Sequence, residues 1–310
     1  MIDFLKTNLL AFEDFLIKKY PNINFKFLCL KTDTRGAAET IKISLEYFAP
    51  ASVASYRLIS ASLFLLILYI IGKYKTSLSR NDLMMLFFVG VVGNFLPFYL
   101  ISWSEQHIQS STAGILMGVG PILTLILSHF FTKDDRFTIP KLISICIGFV
   151  GVLFIFEIDS FFNVTSSNSI QLLSKLLIIL AALGYMISNI VAYNTLKHID
   201  SFSITFFATF FGALVSVPFL LASEIKYPSL ISFESVLPIL YLGFFPTAIA
   251  FQLRYHITKT SGPVFLSYVA YLIPIFAIIW GYLLLSENIN YTSIIGIILI
   301  LFGVYVGRKN

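Results

Sequence analysis

The sequence predicts an all-α polytopic membrane protein of ten helices, built as two five-helix halves inverted relative to each other; the number is nine if the first span is degenerate. Three observations carry this prediction. Composition is the first: 57% of the 310 residues are hydrophobic, 12% are charged, and mean hydropathy is +0.87. A water-soluble chain of this length could not bury that much apolar surface. The second is a series of apolar stretches at 51–72, 82–104, 110–131, 140–157, 172–194, 202–223, 234–257, 262–285 and 291–307, each able to cross about 30 Å of hydrocarbon. The third is self-similarity. At a constant offset of 153 residues Gly90 falls on Gly243 and Pro121 on Pro274.

The elements follow in order. Residues 1–35 form a polar, amphipathic segment in which Phe4, Leu5, Leu9, Phe12, Phe15 and Leu16 recur at helical spacing. No small-residue cleavage site follows them, so a signal peptide is not expected. The window after it carries Lys26, Lys31, Asp33, Arg35, Glu39 and Lys42. Each such charge near a helix centre costs about 2.5 to 3.5 kcal/mol on the insertion scale, against roughly 0.5 kcal/mol gained per large apolar residue. Alone, this first span should not insert. Residues 36–157 then make the first half, 158–171 the connection, 172–307 the second half, and 308–310 the tail.

Charge sets the orientation. Lys73, Lys75, Arg80, Lys133, Arg136, Lys141, Lys197, Arg254, Lys259, Arg308 and Lys309 fall in alternate connections or the tail, whereas Lys175 and Lys226 fall in the others. The first set is expected to be cytoplasmic together with the C-terminus, in the inner (plasma) membrane. These loops account for the net charge of +5, so nucleic acid is not expected as a partner. Trp103 and Trp280 then fall near the outer interface.

Cys29 and Cys146 lack metal-ligand spacing, and His107, His129, His198 and His256 are scattered. There is no phosphate loop, no paired-histidine zinc motif and no nucleophile elbow. Neither catalysis nor a cofactor is expected.

Two segments dominate the repeat. Ser110–Asp135 and Ser261–Asn288 are apolar spans with Pro121 and Pro274 at their middles and acids, Asp135 and Glu287, at their ends. One extra residue in the second connection brings Asp135 onto Glu287 and Gly151 onto Gly303. Five spans separate the copies, so they point in opposite directions across the membrane, an arrangement that places substrate near the midplane. A proline within a span removes a donor and frees the carbonyl four residues earlier, Ala270 in the case of Pro274. Pro121 and Pro274 are therefore the expected kinks.

The stretches GVGPILTLILSHFFTKDD with GFVGVLF, and AYLIPIFAIIWGYLLLSENI with GIILILFGVYVG, resemble the EamA family of drug/metabolite transporters, over residues 36–307. Two departures stand out: Asp134-Asp135 replaces the usual Glu in the first copy, and Arg35 stands where the first span usually carries Trp. The resemblance implies a permease that moves a small metabolite, an amino acid or related compound, by alternating access. It implies secondary transport, most often efflux. The partners implied are the lipid bilayer and that metabolite; monomer and homodimer are not distinguished. The rival from another class is a non-transporting membrane protein. Nucleotide-sugar transport would need more cations than Arg57, Arg254 and Lys259 supply.

A polar path through the bundle supplies the candidate substrate contacts. Tyr99 and Trp103, with Gln106, share a face and map at the repeat offset onto Gln252, His256 and Lys259. An interfacial belt is the alternative for Trp103, Gln106, His256 and Lys259. Asn94 lies near mid-membrane, where a helix–helix hydrogen bond of about 0.6 kcal/mol is the simpler role. Tyr185, Asn189 and Tyr193 form a second stripe, and Tyr268 and Tyr271 flank the approach to Pro274. Arg57 needs a partner or an anionic ligand, and Glu39 or Glu105 is the expected partner.

Overall fold

The computed structural model describes residues 37–133, 138–155, 169–223, 233–272, 275 and 290–308. The helices are α1 (Ala37–Tyr47), α2 (Pro50–Ile71), α3 (Arg80–Ser104), α4 (Ser110–Phe131) and α5 (Ile139–Ile155). After them come α6 (Ser169–Thr195), α7 (Ser201–Leu221), α8 (Phe233–Gly243 continuing through Phe244–Ile249 to Ala250–Ser261), α9 (Pro263–Leu272) and α10 (Tyr291–Arg308). Among the described residues, α2, α3, α4, α6, α7 and the stretch Val236–Ser261 of α8 are long and apolar enough to cross a membrane. Pro274, Trp280, Glu287, Asp134 and Asp135 lie outside the described residues.

Helix entry and exit follow local chemistry. Pro50 opens α2, where its missing N–H costs nothing. Ser79 starts α3 with a reciprocal capping box: its hydroxyl accepts from the Asp82 amide, and the Asp82 carboxylate accepts from the Ser79 amide at 2.9 Å. The Asp200 side chain caps α7 through the Ser203 amide at 2.8 Å. Helix α4 is broken at Gly118–Val119, just ahead of Pro121, and resumes at Gly120. Leu63, Ile67 and Ile70 on α2 and Leu172, Leu176 and Leu180 on α6 are exposed, as suits faces turned to hydrocarbon.

Helix α1, over its 11 described residues, covers about half of the hydrocarbon thickness at about 1.5 Å per residue. It docks by Ile41, Leu45 and Phe48 against Ile239 and Leu242 of α8, which is how a span too polar to insert alone gains burial.

Contacts between the helices come in exchanged pairs. Gly90 of α3 lies against the Ala208 carbonyl of α7, and Gly243 of α8 lies against the Arg57 carbonyl of α2. A Cβ at Gly151 of α5 would sit 2.7 Å from the Gly296 carbonyl of α10, and one at Gly303 of α10 would sit 2.6 Å from the Ser144 carbonyl of α5. With the offset of 152 that aligns Gly151 with Gly303, Ser144 aligns with Gly296, so each contact is the other's image.

Contacts between loops and helix ends gather at one end. His198, between α6 and α7, meets Asp82 of α3 at 3.0 Å, and Lys259 of α8 donates to the Ile199 carbonyl at 2.6 Å. The Tyr74 ring, after α2, stacks on Phe202 of α7 at 4.6 Å.

Candidate functional site

The site is built on two interruptions of helical register. Helix α3 carries a π turn at Val91–Phe95 and α8 one at Phe244–Ile249, and the starts of the two are 153 residues apart, the offset of the sequence repeat. A π turn shifts donors by one residue, so backbone groups lose their ordinary partners; such turns concentrate at functional sites. Prolines add to this. Pro97 cannot donate to the carbonyl of Gly93, and Pro246 cannot donate to that of Leu242.

An arginine serves each turn. Arg254 of α8 reaches into α3 and donates from Nη1 to the Gly93 carbonyl at 3.2 Å. It is fixed there by α6: Nε donates to Asn189 Oδ1 at 2.6 Å, and Nη2 to Ser188 Oγ at 2.7 Å and to the Tyr185 carbonyl at 3.2 Å. Arg57 of α2 reaches into α8 and donates from Nη2 to the Pro246 carbonyl at 3.3 Å and from Nε to Thr247 Oγ1 at 2.7 Å. Thr247 Oγ1 in turn donates to the freed Leu242 carbonyl at 2.7 Å. Gly93 and Pro246, the two arginine-bound carbonyls, are themselves 153 residues apart. The two halves therefore hold equivalent carbonyls with non-equivalent helices.

Aromatic rings join the two cations. The Arg57 guanidinium lies 3.6 Å from the Phe98 ring centre, and Phe98 stacks on Phe251 at 5.5 Å. Arg254 lies 4.9 Å from the Tyr185 ring and 5.1 Å from that of Phe251. Tyr255 donates to Asn94 Oδ1 at 3.3 Å, while Asn94 Nδ2, fully buried, has no hydrogen-bond partner among the described residues.

Glu105 sits at the end of α3, 5% exposed, within electrostatic range of Lys42 and Arg57. Burial pushes its carboxyl up to about 8 against the pull of those cations. Among the described residues Arg57 donates to neutral groups, with Glu105 acting at longer range; the side chain of Glu39, the other expected partner, lies outside the described residues.

Of the sequence-derived candidates, Arg57, Asn94, Tyr185 and Asn189 gather here. Tyr99 instead packs on Phe95 and Phe219, and Gln252 bonds to α7, accepting from Thr205 Oγ1 at 2.9 Å. Trp103 meets His107 at 4.7 Å, and the His256 carbonyl accepts from Thr260. Tyr268 and Tyr271 tie α9 to α5, through Ser144 Oγ at 2.7 Å and the Ile145 carbonyl at 3.2 Å. Arg254, read from sequence as a cytoplasmic loop cation, lies inside α8 and is a correction to that reading. The signal that could have found it is its place within an apolar stretch, together with a carbonyl left free four residues before Pro97.

Comparison with known proteins agrees with this architecture. The chain resembles the uncharacterized transporter YoaV of Bacillus subtilis, at 22% identity over 86% of this chain and 89% of that protein. It is 26% identical to an uncharacterized transporter of Archaeoglobus fulgidus, over 90% of this chain and 96% of that one. A second Bacillus subtilis protein, the uncharacterized transporter YetK, is 29% identical over 80% of this chain and 75% of its own length. A solved crystal structure matches the fold with a TM-score of 0.69 at 15% identity, covering 88% of this chain and 93% of that chain. The model of the EamA-like transporter family matches residues 39–157 and 172–307, the two stretches that carry the paired π turns and the paired glycine contacts; the chain belongs to that family.

Proposed function

We propose that the protein is a secondary permease: ten spans in two inverted halves of five, which alternate access to a central site between α2, α3, α6 and α8. The observation that carries this reading is the pair of arginine-capped π turns at positions equivalent under the repeat. Irregular backbone inside hydrocarbon is tolerated where it lines a cavity or is served by neighbouring helices. Intramembrane cations by default mark a substrate path. Substrate binding at the centre would compete for those carbonyls and guanidinium donors, and so couple occupancy to the packing of the halves. The tied end, with His198–Asp82 and Lys259–Ile199, is the cytoplasmic one on charge grounds, so rocking must break those contacts for release on that side. Relatives named as transporters, and the family itself, favour transport over catalysis. The cargo is a small metabolite, an amino acid or related compound, moved outward across the cell's inner membrane.

The test is flux. Purified protein in liposomes should move at least one labelled compound from a panel of amino acids and organic acids, saturably and without ATP. Correctly folded protein with no flux above that of protein-free liposomes for the whole panel would sink the reading.

A further inference from the structure

No group among the described residues neutralises the positive charge of the central site by direct contact. Among the described residues, every hydrogen bond from Arg254 and Arg57 goes to a neutral acceptor. The two differ in what they have left. A guanidinium has five N–H donors. Arg254 commits its donors to four acceptors and is locked as a fixed charge. Arg57 makes two hydrogen bonds among the described residues, none of them from Nη1, yet the residue is 7% exposed. Among the described residues the carboxyl acting on Arg57 at range is Glu105, which burial pushes up to about 8, so that it offsets the charge only weakly at neutral pH. One further donor is unused among the described residues: Asn94 Nδ2, hydrogen-bonded on its oxygen to Tyr255. Around them stand the faces of Phe98 and Phe251. Donors without acceptors beside ring faces suit an anion carried on an apolar body. An ammonium group would meet two guanidinium charges there, with only ring faces and hydroxyl oxygens to set against them.

We propose that the central site takes organic monocarboxylates, the carboxylate docking on the free edge of Arg57 with the apolar body against Phe98 and Phe251, and that it discriminates against zwitterions and cations of the same skeleton. This rests on the permease reading and takes its cargo to be a related compound that is a net anion, in place of the zwitterionic amino acid. A bidentate guanidinium–carboxylate pair is the strongest contact available for such a group, and Lys cannot reproduce its fork.

The experiment measures binding and flux separately, with three probes that share a phenyl ring and a short chain: 3-phenylpropionate, phenylalanine and phenethylamine. In detergent, equilibrium dialysis should show 3-phenylpropionate bound at least tenfold more tightly than either of the others. Arg57→Gln should weaken it at least tenfold, Arg57→Lys by an intermediate factor, and Lys75→Gln, on an exposed loop, less than twofold. Arg57 also caps Pro246, so each variant is checked for monodispersity; the order of the three probes on the wild-type protein decides without any variant. Phenylalanine or phenethylamine binding as tightly as the acid overturns the anion assignment while leaving the permease reading intact. Binding of the acid without its flux, together with no flux across the whole panel, keeps the assignment and removes the permease reading. No binding of any probe overturns the anion assignment, and flux of another panel compound then keeps the permease reading.

Discussion

Replacing Arg254 by Met tests whether the α3 π turn depends on a cation from α8. The side chain serves four acceptors. Two of them keep a substitute: Ser188 Oγ still donates to the Tyr185 carbonyl at 2.9 Å. The other two, the Gly93 carbonyl and Asn189 Oδ1, lose the donor that Arg254 provides, in a site where Asn189 is 3% exposed. An orphaned buried acceptor costs about 1 to 3 kcal/mol, so the pair costs about 2 to 6 kcal/mol. Loss of the stacking on Tyr185 and Phe251 adds about 0.5 to 2 kcal/mol. At about 2 to 4 °C per kcal/mol, the thermal midpoint in detergent should fall by on the order of 10 °C. Arg254→Lys, which keeps the charge and reaches fewer acceptors, should fall about half as far. A midpoint for Arg254→Met within about 2 °C of wild type would refute the argument that the π turn is held from outside its own helix.

Two further outcomes follow from the geometry. Gly151→Leu places a side chain where a Cβ is already 2.7 Å from the Gly296 carbonyl, so α5 and α10 must separate; a loss of about 1 to 3 kcal/mol or more is expected by thermal unfolding, and an unchanged midpoint would contradict the close approach. Glu105 has its carboxyl raised by burial from 4.5 to about 8, so the folded protein holds that proton more tightly than the unfolded chain does. Its contribution to stability is complete below about 4.5 and is lost as pH rises through about 8. The wild-type midpoint should accordingly fall across that range relative to Glu105→Gln, and parallel curves for the two proteins would remove the assignment.

The sequence made the broad outline readable because hydrocarbon imposes simple rules. Apolar stretches such as 51–72 and 202–223 correspond to α2 and α7 within a residue or two, and the offset linking Gly90 to Gly243 reappears as matched contacts to Ala208 and Arg57. Pro121 announced the break in α4. The π turns were less readable. Register shifts depend on which neighbour offers a donor, and the neighbours of Gly93 and Pro246 are Arg254 and Arg57, both more than 150 residues distant in sequence. The same long-range logic explains Arg254. Counting cations by loop treats every Arg near a helix end alike, whereas its destination is set by Asn189 and Ser188 on α6. Tyr99 and Gln252 illustrate the converse: a shared polar stripe marked equivalent positions, but Gln252 spends its polarity on Thr205 of α7. Spacing along one helix reports a face, not what that face meets.

On the permease reading, the two arginine-capped turns are equivalent halves of one transport site. Trans-stimulated exchange in liposomes tests it most directly: preloading with unlabelled 3-phenylpropionate should accelerate entry of the labelled acid, as only a carrier that alternates can do. Wild-type protein should exchange, and monodisperse Arg57→Gln and Arg254→Gln should each exchange at least tenfold more slowly. Exchange at the wild-type rate in both variants would contradict the claim.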